Sequence, residues 1–244
     1  MATAAIPETR FLPTRLTLVE EFSLLLSGRR LTVPHVAERV LTYLALVDRP
    51  VSRIRLAGTL WPDHTDHNAS KSLRTALWRI KQLDQRLVEV NGERLRLYPE
   101  VEVDVAELTS LAQRLVLAPD DASLARLGVL IQHTELLPDW DEEWVAANRE
   151  RYRLARLAAL ESAACVLLER GQPDKALIVA LAVVQAEPLR ESGRRIVMRA
   201  HLAQGNAVEA IQEHHRYRAL LRHEFGVDPS PELNDLLTTC YHRT

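Results

Sequence analysis

The stretch Ala69-Ser-Lys-Ser-Leu-Arg-Thr-Ala-Leu-Trp-Arg-Ile-Lys-Gln-Leu-Asp84 decides the fold class. Leu73, Ala76, Leu77, Ile80 and Leu83 recur at helical spacing and define one buried face. Lys71, Arg74, Thr75, Trp78 and Gln82 take the opposite face, with Arg79 and Lys81 flanking it. No acid lies between His67 and Leu83. Side chains of these types reach phosphates and base edges, and an α-helix fits the major groove. These seven residues are therefore candidate DNA contacts.

The flanks supply the rest of a binding module. Upstream, a helix over Arg53–Trp61 is expected, with Ile54, Ala57, Leu60 and Trp61 inward and Pro62 ending it. A six-residue connection, Pro62–His67, completes a helix–loop–helix arrangement. Downstream, Leu87–Val90 and Arg94–Tyr98 flank Asn91-Gly92, a strong hairpin signal, because a type I′ turn needs positive φ at both central positions. Leu95 and Leu97 share one face of this hairpin. Arg94, Arg96 and Tyr98 share the other, which makes it a wing with arginines placed for the sugar–phosphate backbone. Further upstream, Leu16–Val19, Phe22–Leu26 and Arg30–Val33 read as strands, followed by a helix from Pro34 to Asp48. A charged helix face taken alone is usually solvated surface, and Trp78 serves equally well as a domain-interface residue. The conjunction of strands, three helices, an acid-free face and an arginine-bearing hairpin favours DNA.

Beyond Val103 the signal becomes purely helical. Asp104, with Glu107 three residues on, resembles a capping box. Helices are expected at 104–117, 121–136, 141–170, 174–186, 190–204, 207–223 and 231–242, punctuated by prolines. Gly171-Gln-Pro-Asp-Lys-Ala-Leu177 recurs as Gly205-Asn-Ala-Val-Glu-Ala-Ile211, at the 34-residue tetratricopeptide period. Such repeats offer surfaces to proteins, or pack only on one another and on the first domain. The long helix with Arg149, Arg151, Arg153 and Arg156 among acids reads as solvated or domain-bridging. The expected organisation is a tail over 1–14, an α+β domain over 15–103 and an all-α domain over 104–244.

Composition sets outer bounds. The 244 residues carry a net charge of −2, with 47% hydrophobic and 26% charged residues, which excludes a disordered or fibrous chain. Split at Val103, the first part holds 15 Lys/Arg against 12 Asp/Glu and the second 16 against 21. Nine of the basic residues fall between Arg53 and Leu97, against five acids, so the average conceals a local basic stripe. Two cysteines, Cys165 and Cys240, are too few for a disulfide scaffold and read as small core residues of a cytoplasmic protein. The longest apolar run, Ala176–Val184, falls far short of the roughly 18–20 residues of a membrane span.

Other chemistry is thinly represented. Asp63-His-Thr-Asp-His67 is the one metal-like cluster, and helical spacing adds no fourth ligand, so a polar loop is preferred to a metal-dependent enzyme built on His64 and His67. His201, His214 and His215 read as surface or interhelical residues. The sequence has no Gly-rich phosphate loop, nucleophile elbow or paired-carboxylate signature. No catalytic residue, cofactor or metal is expected.

Leu56-Ala-Gly-Thr-Leu-Trp-Pro62 with Ser72-Leu-Arg-Thr-Ala-Leu-Trp-Arg-Ile80, and Glu187-Pro-Leu-Arg-Glu191 with Glu224-Phe-Gly-Val-Asp-Pro-Ser-Pro-Glu-Leu233, carry a family resemblance. The segment from Trp140 to Arg151 agrees with it. The chain resembles the Streptomyces antibiotic regulatory protein family in its short form, over roughly 16–242. The resemblance implies an OmpR-type winged helix-turn-helix followed by a tetratricopeptide-like bacterial transcriptional activator domain. It implies an activator, often of secondary metabolism, that binds direct repeats near promoters and recruits RNA polymerase and its sigma factor. Asp63, His64, Asp66 and His67 would then form a polymerase-facing loop. His35-Val-Ala-Glu38 stands where such a helix is often basic, which leaves Arg39 alone as its first-helix phosphate anchor. A protein-interaction adaptor whose winged helix no longer binds DNA is the competing function. The expected location is the cytoplasm, on the nucleoid, with self-association on DNA possible by head-to-tail copies.

Overall fold

A computed structural model describes residues 13–241, so the expected tail lies outside the described residues except for Pro13 and Thr14. The chain packs as two compact units. The first comprises the described residues up to Glu107 together with Glu135–Arg149, and the second comprises Leu108–Thr134 together with the residues from Glu150 onward.

The first unit opens with β1 (Thr14–Thr17), β2 (Ser23–Leu26) and β3 (Arg29–Leu31), an antiparallel meander. Ser27 and Gly28 both have positive φ, which gives the β2–β3 turn the backbone of a type I′ hairpin. Helix α1 (His35–Val47) ends at Asp48, in the left-handed region, after burying Ala37, Val40, Leu41 and Leu44. Then follow β4 (Val51–Ser52), α2 (Arg53–Leu60), α3 (Asp66–Leu83), β5 (Val88–Asn91), β6 (Arg94–Leu97) and β7 (Val101–Val103). β7 runs parallel to β1, so the first sheet has the order β3-β2-β1-β7. β4, β6 and β5 form a second antiparallel sheet. β4 and β7 escape the sequence pattern because two or three residues are too few to show a period. Leu16, Leu24, Leu44, Leu56, Leu73 and Leu95 are fully buried, each stabilising the unit by about 2 kcal/mol.

Local chemistry differs from expectation at three places here. Ile54 points out, 81% exposed, because α2 turns Leu56, Ala57 and Leu60 inward instead. Asn91 is still a strand residue, paired with Arg94, so the β5–β6 turn is Gly92-Glu93 with positive φ at Gly92 alone. That is the type II′ pattern, which places glycine first. Asp104 does not serve a local capping box with Glu107. Its carboxylate accepts hydrogen bonds from the backbone N–H groups of Leu18 (2.9 Å), Val19 (3.0 Å) and Val105 (2.7 Å), while Glu107 pairs with Arg15 at 3.0 Å. Burial pushes the Asp104 carboxyl above its ordinary range, and these N–H groups with Arg15 offset that only in part.

Helices α4 (Asp104–Leu117), α5 (Asp121–Ala125), α6 (Leu127–Gln132) and α7 (Glu143–Glu169) come next. The single helix expected over 121–136 is two. Asp120 and Ser123 make a reciprocal capping box for α5, and the chain breaks at Arg126. Residues 135 and 136 run beside the residues that follow β1: Val19 bridges Leu136, Glu20 N–H donates to the Glu135 carbonyl at 2.8 Å, and Leu137, where φ turns positive, donates its N–H to the Leu18 carbonyl at 3.0 Å. Leu136 and Leu137 are buried. Trp140 stacks on Phe22 with centroids 6.3 Å apart and meets His35 edge-on at 5.2 Å. Trp144 meets Tyr43 at 5.4 Å. The arm 135–149 is thus packed into the first unit.

This packing inverts the charge split. The segments of the first unit hold 16 Lys/Arg and 19 Asp/Glu, and those of the second 15 and 14. The basic stripe therefore sits on a unit that is acidic overall, because the arm brings five acids and one arginine.

In the second unit, α8 (Pro173–Ala186), α9 (Glu191–Ala203), α10 (Ala207–Phe225) and α11 (Pro231–Tyr241) pack successively on one another. Gly171 and Gly205, 34 residues apart, both have positive φ, and Ala176 and Ala210 five residues later are fully buried. Gly193 brings α9 close to α8, where an added Cβ would lie 2.9 Å from Val183 Cγ1. Two arginines of α7 turn to the fold, whereas Arg151 is exposed. Arg156 is 2% exposed and donates to the carbonyl of Leu130 at 2.6 Å, satisfying the end of α6, and Arg149 donates to the carbonyls of Leu136 and Trp140 at 2.8 Å each. His214 is interhelical, 2.7 Å from Asn234 Oδ1, and Cys165 is half-buried. The side chain of Cys240 lies outside the described residues.

Candidate nucleic-acid interface

Helix α3 begins at Asp66, three residues before the expected start, because the Thr65 hydroxyl caps it by accepting from Asn68 N–H at 3.4 Å. Asp66 and His67, expected in the connecting loop, therefore belong to the first helical turn. There the Asp66 carboxylate is favourable beside the positive end of the helix dipole. Asp63 and His64 remain in the loop, and all four side chains are exposed. No group of three or more His, Cys, Asp or Glu placed to hold a metal ion occurs among the described residues.

Ala69, Leu73, Ala76 and Ile80 anchor α3 in the core, and Leu77 and Leu83 are only partly covered. Lys71, Arg74, Thr75, Trp78, Arg79, Lys81 and Gln82 are all exposed, with Trp78 at 62%. A solvent-facing indole on a structured helix leaves a large apolar surface uncovered. Among the described residues, no ion pair engages Lys71, Arg74, Arg79 or Lys81. The Thr75 hydroxyl donates to the Lys71 carbonyl at 3.1 Å, which leaves its oxygen lone pairs for a ligand.

Between α3 and the hairpin runs a groove of about 500 Å³. Arg74, Trp78 and Lys81 line it from α3, and Arg53, Arg86 and Val90 from its other side. Arg53 and Arg86 escaped the helix-face reading because they lie at the start of α2 and in the turn after α3. Only the tertiary fold places them beside α3. Arg86 is tied to Asp84, whose carboxyl burial pushes up but which the Arg86 N–H and guanidinium hold below its ordinary range.

The two hairpin arginines part company. Both are exposed and neither lines this groove. Arg96 faces Glu89 across the β5–β6 ladder, with Nε 2.5 Å from Oε2, so its charge is partly neutralised. Arg94 has no ion-pair partner among the described residues. Arg39, expected as the first-helix phosphate anchor, is spent inside the unit. It pairs with Glu142 at 3.0 Å, donates to the Leu60 carbonyl at 2.5 Å and lies over the Trp61 ring. A cation so held is not offered to DNA.

Residues 103–239 match the family model of the bacterial transcriptional activator domain. The chain is similar to regulatory protein AfsR of Streptomyces coelicolor, 31% identical over 192 residues, which is 74% of this chain and 19% of the relative. It is likewise 31% identical over 211 residues to regulatory protein AfsR of Streptomyces griseus, covering 81% and 21%. The chain thus spans about a fifth of the length of the curated relatives it matches. A solved structure of Mycobacterium tuberculosis EmbR, in complex with a low affinity phosphopeptide, superposes with a TM-score of 0.72 at 19% identity, covering 95% of this chain and 66% of that one. This last likeness is one of fold. No helix among the described residues is long and apolar enough to cross a membrane.

Proposed function

Because the chain belongs to the bacterial transcriptional activator domain family, which groups transcription regulators rather than enzymes, we propose that it activates transcription by binding promoter DNA. The observation that carries this reading is the exposed, acid-free face of α3, where Lys71, Arg74, Arg79 and Lys81 stand unpaired around an uncovered Trp78. In this reading residues 15–103 act as an OmpR-type winged helix: α3 enters the major groove of double-stranded DNA and β5–β6 is the wing. Arg94 meets the backbone more strongly than Arg96. Residues 104–244 form the tetratricopeptide-like activator part. The binding sites are direct repeats near a promoter, occupied by head-to-tail copies. The loop with Asp63 and His64, continued by Asp66 and His67, faces RNA polymerase and its sigma factor. The setting is the cytoplasm, on the nucleoid.

Footprinting on the upstream region of its own gene tests the reading. Protection that weakens with salt is expected, and Lys71→Ala or Arg74→Ala should cost about 1–3 kcal/mol of binding. Loss of preference at one base pair marks a base contact, and a uniform loss with a shallower salt slope marks a phosphate contact. Absence of any salt-sensitive protection would replace this reading with a protein-interaction adaptor.

A further inference from the structure

The loop after α2 and the start of α7 enclose a second groove within the first unit, of about 750 Å³. Trp61, Pro62, Asp63, Glu143, Trp144 and Ala147 line it. Arg39 lines it too but is paired with Glu142, so the charge the groove leaves unpaired is opposite to that of α3. Glu142, on the same groove, is spent on Arg39, and the arm's one arginine, Arg149, is spent on Glu135 and on backbone carbonyls. Asp63 and Glu143 are exposed, and no cation pairs with them among the described residues. Asp139 and Asp141 of the arm are exposed in the same way. These carboxylates repel phosphate, so this surface and α3 do not share a ligand. The two tryptophans and the proline add apolar wall, which suits a long side chain with an aliphatic stem and a charged head. Arg39 already makes such a contact, its guanidinium 5.7 Å from the Trp61 ring centroid.

We propose that this groove docks an arginine- or lysine-bearing segment of a partner protein, its cationic heads meeting Asp63 and Glu143 and its stems covering Trp61 and Trp144. The inference rests on the loop with Asp63 and His64 being the protein-facing element, and it names the chemistry of what that element faces. The 135–149 arm supplies half of the site.

The test uses the full chain and a fluorescein-labelled peptide of Leu-Arg-Arg-Leu repeats, followed by anisotropy, with the same peptide carrying glutamate for arginine as control. Saturable binding of the arginine peptide alone is expected. It should weaken about tenfold in the Asp63→Asn/Glu143→Gln double variant, whose fold is checked by circular dichroism, and be unchanged in Lys71→Ala. No saturable binding, or equal binding to the double variant, overturns the proposal. In vitro transcription from a footprinted promoter separates the two layers. If the double variant loses stimulation while the peptide never binds, the loop faces a protein but not a cationic one. If stimulation and peptide binding are both unaltered in the double variant, the protein-facing reading of the loop falls as well.

Discussion

Arg39 of α1 and Glu142 in the middle of the arm form a half-buried ion pair at 3.0 Å, and the same guanidinium closes the carbonyl end of α2 at Leu60. One side chain thus joins three segments distant in sequence. Arg39→Ala should cost about 1–3 kcal/mol of stability, since a charged hydrogen bond to Leu60 and the ion pair are lost and an acid is left with no cation. Urea unfolding of Arg39→Ala, Glu142→Ala and the double variant gives the coupling. The salt slope of DNA binding should stay constant across the series, and a slope that falls in Arg39→Ala would make Arg39 a phosphate contact after all.

Glu89 pairs with Arg96 across the β5–β6 ladder, so in the proposed reading it would compete with DNA for that arginine. Glu89→Gln should therefore raise DNA affinity roughly two- to fivefold at low salt, in line with the modest worth of an exposed pair. Arg94→Ala should lower affinity more than Arg96→Ala in the same gel-shift series. Equal losses would show that the ladder pair opens on binding.

Gly193 allows α9 to approach α8. A Cβ there meets Val183 Cγ1 at 2.9 Å, so Gly193→Ala should destabilise the second unit by about 1–3 kcal/mol through overpacking. Thermal unfolding measures the loss, and Val183→Ala in the same chain should return part of it. A neutral Gly193→Ala would mean that the two helices separate at little cost.

The turn between α10 and α11 is held by Asp228, which accepts from Arg222 and Arg218 at 2.9 Å each. These hydrogen bonds hold its carboxyl below the ordinary range. A depressed carboxyl contributes stability that is present above its unfolded-state value and lost as pH falls through its folded one. The turn should therefore stay closed at neutral pH and loosen only in strong acid. Carboxyl carbon NMR would show a midpoint below that of an ordinary aspartate, and a normal midpoint in the Arg222→Ala/Arg218→Ala variant.

Periodicity and local turn chemistry determined much of this protein. The two faces of α3, the glycine turns 34 residues apart and the proline punctuation of the helices were legible, because each depends on residues within a few positions of one another. The tertiary structure decided the rest. It drew the 135–149 arm into the first unit through Trp140 on Phe22, Trp144 on Tyr43 and Glu142 on Arg39. That move reversed the charge balance of the two units and paired Arg39 with an acid. It also built an acidic groove beside the loop that precedes α3. Spacing along the chain carries no record of such contacts, since they are set by which faces meet once both segments have folded. The basic stripe was written locally; which surface stands next to it was not.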